Sequence, residues 1–418
     1  MTSRRSWRDG HGRGVRVGVL PGLFVAAVVL AACQLPAHLG VPTTVEKIEG
    51  TCDTSAVVEV GASLPLSGRL AATGRAELTG LELAVEHVNQ SGGVLTSHRC
   101  LELMYKDDRS DPSVDNQALL DLVNQERVSL VVGPFLALSD SADRAHLGAL
   151  GVTADSFSSV EETFEPRSYP YTFPMSASIS SQAQILANDV RTHDWQQVTV
   201  VSSGSLASTE GVSVFKADTR GTRIHVTTES QSVDSPASAS KVLAAVRSTH
   251  PDALVVFDDG STLTPVLAVR RAIGLSLPVI ASIGGNTPEL PASDLLGVEI
   301  VVPTALEVTH STAPGLTTFR AQVLHALHRD RLQAALTPYA QAYDAIAMFA
   351  GAVSGVNADD PGSLRTYLEN ANYQGILGSY NFTSGSHAGL DVSQESLVPL
   401  DTLSNGVFIR PTVRGSNH

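Results

Sequence analysis

The sequence predicts an α/β protein built from two doubly wound, mostly parallel sheets. Three observations lead there. Short continuous apolar runs recur along the chain, amphipathic stretches separate them, and one proline-rich break divides them into two series. Apolar runs without alternation mark strands buried on both faces, the condition of a parallel sheet covered by helices. The alternation of such strands with helices gives the layered α/β class.

The elements follow in chain order. "MTSRRSWRDGHGRGVRVG" carries five arginines against one aspartate, and an apolar core from Val17 to Ala32 follows, broken only by Gly18, Pro21 and Gly22. A basic start and a short apolar core read as an export signal over residues 1–32, too short for a comfortable membrane span. The run ends at Leu30-Ala31-Ala32-Cys33, which resembles the bacterial lipobox. That resemblance implies that Cys33 becomes a lipidated N-terminus. Each buried acyl methylene contributes about 0.8 kcal/mol, so several chains hold a soluble body at the membrane surface. Residues 33–53, polar with Pro and Gly, read as a tether.

Strands are expected at 56–64, 101–108, 129–133, 197–202, 223–229, 253–257, 278–282 and 297–303. The first helix shows Leu81, Ala84, Val85 and Val88 at i, i+3, i+4 and i+7 and stops on Gly92-Gly93. Further helices are expected near 113–126, 138–150, 179–193, 237–249 and 262–274. Pro166, Pro170 and Pro174 interrupt any helix between the two series. Cys52 and Cys100 each precede an early strand. If those strands are parallel neighbours, both cysteines start at one sheet edge, within disulfide reach in an exported protein.

Composition narrows the function. Beyond residue 32 there are 23 Lys+Arg and 41 Asp+Glu, a net charge of −18, with no basic cluster. Nucleic acid is not an expected partner. No G-x-S-x-G elbow, H-E-x-x-H helix, P-loop or metal-spaced His/Cys set occurs, so neither catalysis, nor a cofactor, nor a metal is expected. His193, His250 and His310 lie beside element ends and read as surface residues.

Sheets of this class bind ligands beyond the carboxyl ends of their strands. The loops at those ends, 65–74, 133–141, 154–162, 203–211, 258–262 and 283–289, are rich in Ser, Thr, Gly and Asp. Ordinary turn and capping chemistry explains any one of them. Convergence at one cleft is what favours a site.

"LPLSGRLAATGRAELTGLELAVEHVNQSGGV", "YKDDRSDP", "VVGP", "YDAIAMFA" (343–350) and "GILGSYNFTSGSHAG" (375–389), in this order, resemble the type I periplasmic binding proteins of the branched-chain amino-acid family. The resemblance runs from about Val57 to about Arg410. It implies an extracytoplasmic receptor of an ABC importer, with two α/β lobes that close on a small polar ligand and present it to the permease. Lobe I is then expected at 54–172 plus 304–376 and lobe II at 173–303 plus 377–411, with a tail at 412–418. Crossovers are expected near 172–176, 301–306 and 377–382.

The family pocket carries over in part. The loop after "VVGP" supplies a serine to the ligand carboxylate in the family; here it offers Leu136, Ala137 and Ser139, with alanine at the matching position. "DSFSS" offers Ser156, Phe157 and Ser158. The position of the family's ammonium-binding acid falls near Gly284, where there is none. Aromatic positions correspond to Thr73 and Ser208, leaving Tyr339 as a wall. Asp258, Asp259 or Asp155 are the acids available to restore an amino-acid ligand, and the expected ligand is an amino acid or another polar small molecule. A sensing module that signals to a membrane partner and a degenerate receptor without ligand are the alternatives.

Overall fold

The computed structural model describes residues 45–48, 57–133, 150–153, 165–229, 231–285, 295–308, 314–332 and 334–409. Its first sheet contains β1 (Glu46–Ile48), β2 (Val57–Leu64), β3 (Cys100–Asp107), β4 (Leu130–Val132), β5 (Leu150–Thr153) and β6 (Thr172–Pro174), in the order β1-β3-β2-β4-β5-β6. All neighbours are parallel except β1, which runs antiparallel to β3. Helices α1 (Ala71–Gln90) and α2 (Pro112–Asn124) connect its strands. Asp111 starts α2 by accepting the Ser113 and Val114 N–H groups, with Pro112 set where no N–H is needed.

The second sheet takes β7 (Gln197–Ser202), β8 (His225–Thr228), β9 (Ala253–Phe257), β10 (Val279–Ala281) and β11 (Val298–Pro303), wrapped by α3 (Ile179–Thr192), α4 (Leu206–Thr219), α5 (Pro236–Thr249) and α6 (Leu263–Ala272). After β11 come β12 (Glu307–Val308), α7 (Pro314–Ala326), α8 (Thr337–Val356), α9 (Pro361–Leu368) and the hairpin β13 (Asn372–Gln374) and β14 (Ser379–Asn381). The chain then returns to the second sheet as β15 (Glu395–Pro399), antiparallel to β11, and ends in β16 (Leu403–Ser404) and β17 (Val407–Ile409), which form a small sheet with β12. Val58, Val60, Ala62 and Leu64 of β2, and every residue of β9, are buried, as strands covered on both faces must be.

Three differences from the sequence reading stand out. Residues 46–48, inside the expected tether, form an edge strand fastened by the Lys47–Glu102 ion pair (2.9 Å) and the Tyr105 hydroxyl donating to Glu46 (2.7 Å). Leu150 begins a strand where a helix was expected to end; the rest of that helix, 138–149, lies outside the described residues. The proline-rich break contains β6, which among the described residues is the edge strand of its sheet and ends on Pro174, where no N–H is needed.

The chain passes between the sheets three times, and the passages meet. Gly389 lies so close to the Pro174 carbonyl that any side chain there would collide with it. His387 Nδ1 bonds the Thr172 carbonyl (2.7 Å), the Thr304 and Ser396 hydroxyls pair at 3.1 Å, and Pro303 faces Glu395 in the β11–β15 register. Among the described residues no helix is long and apolar enough to cross a membrane.

Candidate functional site

The parallel strands of each sheet deliver their carboxyl ends to a set of polar turns. After β9, Asp258 Oδ1 accepts the N–H groups of Ser261 (3.0 Å) and Thr262 (2.7 Å), and Oδ2 accepts that of Leu263 (2.9 Å). These are donors that the start of α6 leaves open, so the buried carboxylate caps the helix. Burial pushes its pKa up to about 6, the charge of Asp259 adds to the push, and the backbone donors oppose both.

Asp259 points elsewhere. Its Oδ1 accepts the Ser261 N–H (3.2 Å) and hydroxyl (2.5 Å), while Oδ2 takes Arg69 Nη1 at 3.1 Å. Arg69 belongs to the turn between β2 and α1, so this contact joins the strand ends of the two sheets. Sequence reasoning did not single out Arg69. The available signal was a lone cation inside the Gly- and Ser-containing loop 65–74.

Just after β10, Ser282 Oγ accepts the Asp258 N–H (3.0 Å), and Gly284 presses on the Asp258 carbonyl. A Cβ at 284 would overlap that carbonyl, so no acid fits there in this packing. Ser208 sits in the first turn of α4, where Ser203 and Ser205 hydroxyls donate to its Oγ (2.9 and 3.1 Å) and its N–H returns to Ser205 Oγ (3.3 Å). Beside it Leu206 is 51% exposed, an apolar surface at the end of β7. Thr73 is buried on α1, and Tyr339 is 5% exposed on α8 within the apolar cluster of the second sheet. Burial raises the Tyr339 pKa.

The structure thus brings Asp258, Asp259 and Gly284 together at adjacent strand ends, with Ser208 in the first turn of α4, which follows β7, the next strand of the same sheet. Leu136, Ala137, Ser139, Asp155, Ser156, Phe157 and Ser158 lie outside the described residues, as do Cys33, Cys52 and His310. His193 and His250 are exposed, and Cys100 is buried at the start of β3. Among the described residues no group of three or more His, Cys, Asp or Glu is placed to hold a metal ion.

The family model described as periplasmic binding protein matches residues 57–391. Among solved structures, the branched-chain amino acid transporter substrate binding protein LivJ from Streptococcus pneumoniae, in complex with isoleucine, superposes with a TM-score of 0.69 at 21% identity, covering 84% of this chain and 97% of that one. An ABC transporter solute binding protein from R. palustris, in complex with benzoate, gives 0.67 at 18% identity, with 84% and 96% covered. The leucine binding protein LivK from Thermotoga maritima gives 0.66 at 17% identity, with 82% and 97% covered. At these identities the likeness to each structure is one of fold. The family is one of extracytoplasmic substrate-binding receptors and not of enzymes. With the family model spanning most of its length and both sheets in the two-lobed arrangement, the chain belongs to the type I periplasmic binding proteins, the family of the branched-chain amino-acid receptors of ABC transporters.

Proposed function

We propose that the protein is a lipid-anchored receptor on the outer face of the cell membrane that takes one small polar ligand between its lobes and delivers it to an ABC permease. The observation that carries the reading is the meeting of strand ends from both sheets at Arg69, Asp259 and Ser261, which supports a cleft shared by the two lobes. The ligand class we favour is a small polar molecule, an amino acid or a related compound. Ser156 and Ser158 serve its carboxylate, Ala137 and Ser139 border it, and Ser208 and the 258–262 turn form the opposite wall. Hydroxyls and N–H groups in a closed cleft suit an anionic group.

The lobe boundaries proposed are 54–172 with 304–376, and 173–303 with 377–411. β6 ending the first sheet at Pro174 and β11 ending at Pro303 support the first two passages to within two residues, whereas the β13–β14 hairpin pairs across 376/377 and moves the third passage to between Asn381 and β15. Cys33 carries the anchor. The Cys52–Cys100 disulfide is supported by the register of Val57 against Cys100, which brings the chain before β2 alongside β3, and by the bonded state of the Cys100 sulfur. Such a link, closing a loop of about fifty residues, contributes at most about 4 kcal/mol.

A thermal-shift library of amino acids, small amides, organic acids and sugars tests the reading. At 100 times its dissociation constant a true ligand stabilises the bound form by about 2.7 kcal/mol. Ser158→Ala then weakens the hit by on the order of 1–3 kcal/mol, read by calorimetry. Equal binding by Ser158→Ala and the parent contradicts the assignment of that wall.

A further inference from the structure

Arg69 leaves the β2–α1 turn of one lobe and reaches the β9–α6 turn of the other. One nitrogen, Nη1, donates to Asp259 Oδ2 at 3.1 Å and to Ser261 Oγ at 2.9 Å. The acceptor side is fixed in advance. Asp259 is 5% exposed, and its other oxygen is held by the Ser261 hydroxyl and N–H.

The donor side is fixed as well, by its own lobe. Leu70 N–H donates to Ser110 Oγ (3.1 Å), Ser110 Oγ donates to the Ser67 carbonyl (2.8 Å), and Ser67 N–H donates to Asp107 Oδ1 (3.1 Å). Each partner is therefore anchored in a different sheet, and neither turn is free to follow the other lobe. A hinge motion that separates these strand ends has to break the pair. The pair is charged on both sides and nearly dry on one, and charge-assisted bonds of this kind are the stronger ones. The Arg69 side chain, 37% exposed, keeps part of it in reach of solvent screening.

We propose that Arg69, Asp259 and Ser261 form an inter-lobe latch that sets the balance between open and closed cleft in the absence of ligand. This rests on the two-lobed receptor reading and adds a positioning role that the ligand-binding walls do not need. It also gives Asp259 a partner within the protein. A ligand ammonium that sought this carboxylate would have to displace Arg69, and so would act against the latch.

The test is small-angle scattering on the ligand-free protein, comparing the parent with Arg69→Gln, Asp259→Asn and the double variant. The expected result is a larger radius of gyration for each single variant and no further expansion in the double, because one contact has been removed once. Single variants with the parent's radius of gyration overturn the proposal, and so does a double variant that expands by the sum of the two. Arg69 lies at the surface, so Arg69→Gln decides the matter if Asp259→Asn fails to fold. Circular dichroism and the melting temperature identify that case. Because no ligand is present, an empty ligand screen would remove the receptor reading while leaving the latch measured in its own right.

Discussion

The cleft mouth and the meeting point of the crossovers both bury acids, and they treat them differently. At the mouth, Asp258 is met by three backbone N–H groups and Asp259 by Arg69 and Ser261, and Asp258 is pushed only to about 6. On the crossover side, Asp344 of α8 accepts Ile376 N–H (2.8 Å), Leu377 N–H (3.2 Å) and the Tyr380 hydroxyl (3.1 Å), yet burial pushes it up to about 7. Glu395, facing Pro303, is buried, and among the described residues only the Ala177 backbone is placed to offset that burial. Burial pushes it up to about 8, and the nearby Ala177 backbone only partly offsets this. Burial is the leading cause of the upward push at Asp258, Asp344 and Glu395, and the donors each acid meets offset it without cancelling it. The mouth also holds an ion pair between the lobes, Arg69 with Asp259. In the crossover region burial favours the protonated form of both acids.

The sharpest way to break this comparison is Asp344→Ala. It strands two N–H groups and a hydroxyl in the core and is expected to cost about 3 kcal/mol in denaturant unfolding. A loss smaller than that of Asp258→Ala would reverse the ranking of the two regions. Glu395→Gln comes next, and its effect depends on pH. The folded pKa is raised above the unfolded value, so the native state holds a proton that the unfolded chain releases, and the parent loses stability as pH rises from about 4.5 to about 8. The glutamine variant has no such loss. The two proteins should match near pH 4.5 and diverge progressively toward pH 8.5 in favour of the variant. Parallel stability curves across that window would show that Glu395 is charged after all. Asp258→Ala is the smallest of the three, a lost cap costing about 1 kcal/mol, with the melting temperature as readout.

Much of the fold was legible because strands buried on both faces leave unbroken apolar runs. Strands β7 and β9 fall on the expected 197–202 and 253–257. β1, β6 and the β12–β17–β16 sheet are two or three residues long in each strand and carry no such run, so only their partners reveal them. The site was legible as a list of polar turns, with less success for roles. Asp258 and Asp259 are neighbours in sequence with the same chemistry, and only the fold turns one onto a helix start and the other toward Arg69. Gly284 read as a missing acid, whereas in the structure the Asp258 carbonyl occupies the space a side chain would need. The Arg69–Asp259 contact spans 190 positions, a separation over which local patterns carry no signal.

In the receptor proposed here, one small ligand closes two lobes over a shared cleft. Small-angle scattering of the parent with and without a saturating ligand from the library tests it most directly. The account predicts a smaller radius of gyration on binding, and a larger contraction in Arg69→Gln, which begins more open. A ligand that binds by calorimetry and leaves the radius of gyration of both proteins unchanged would contradict it.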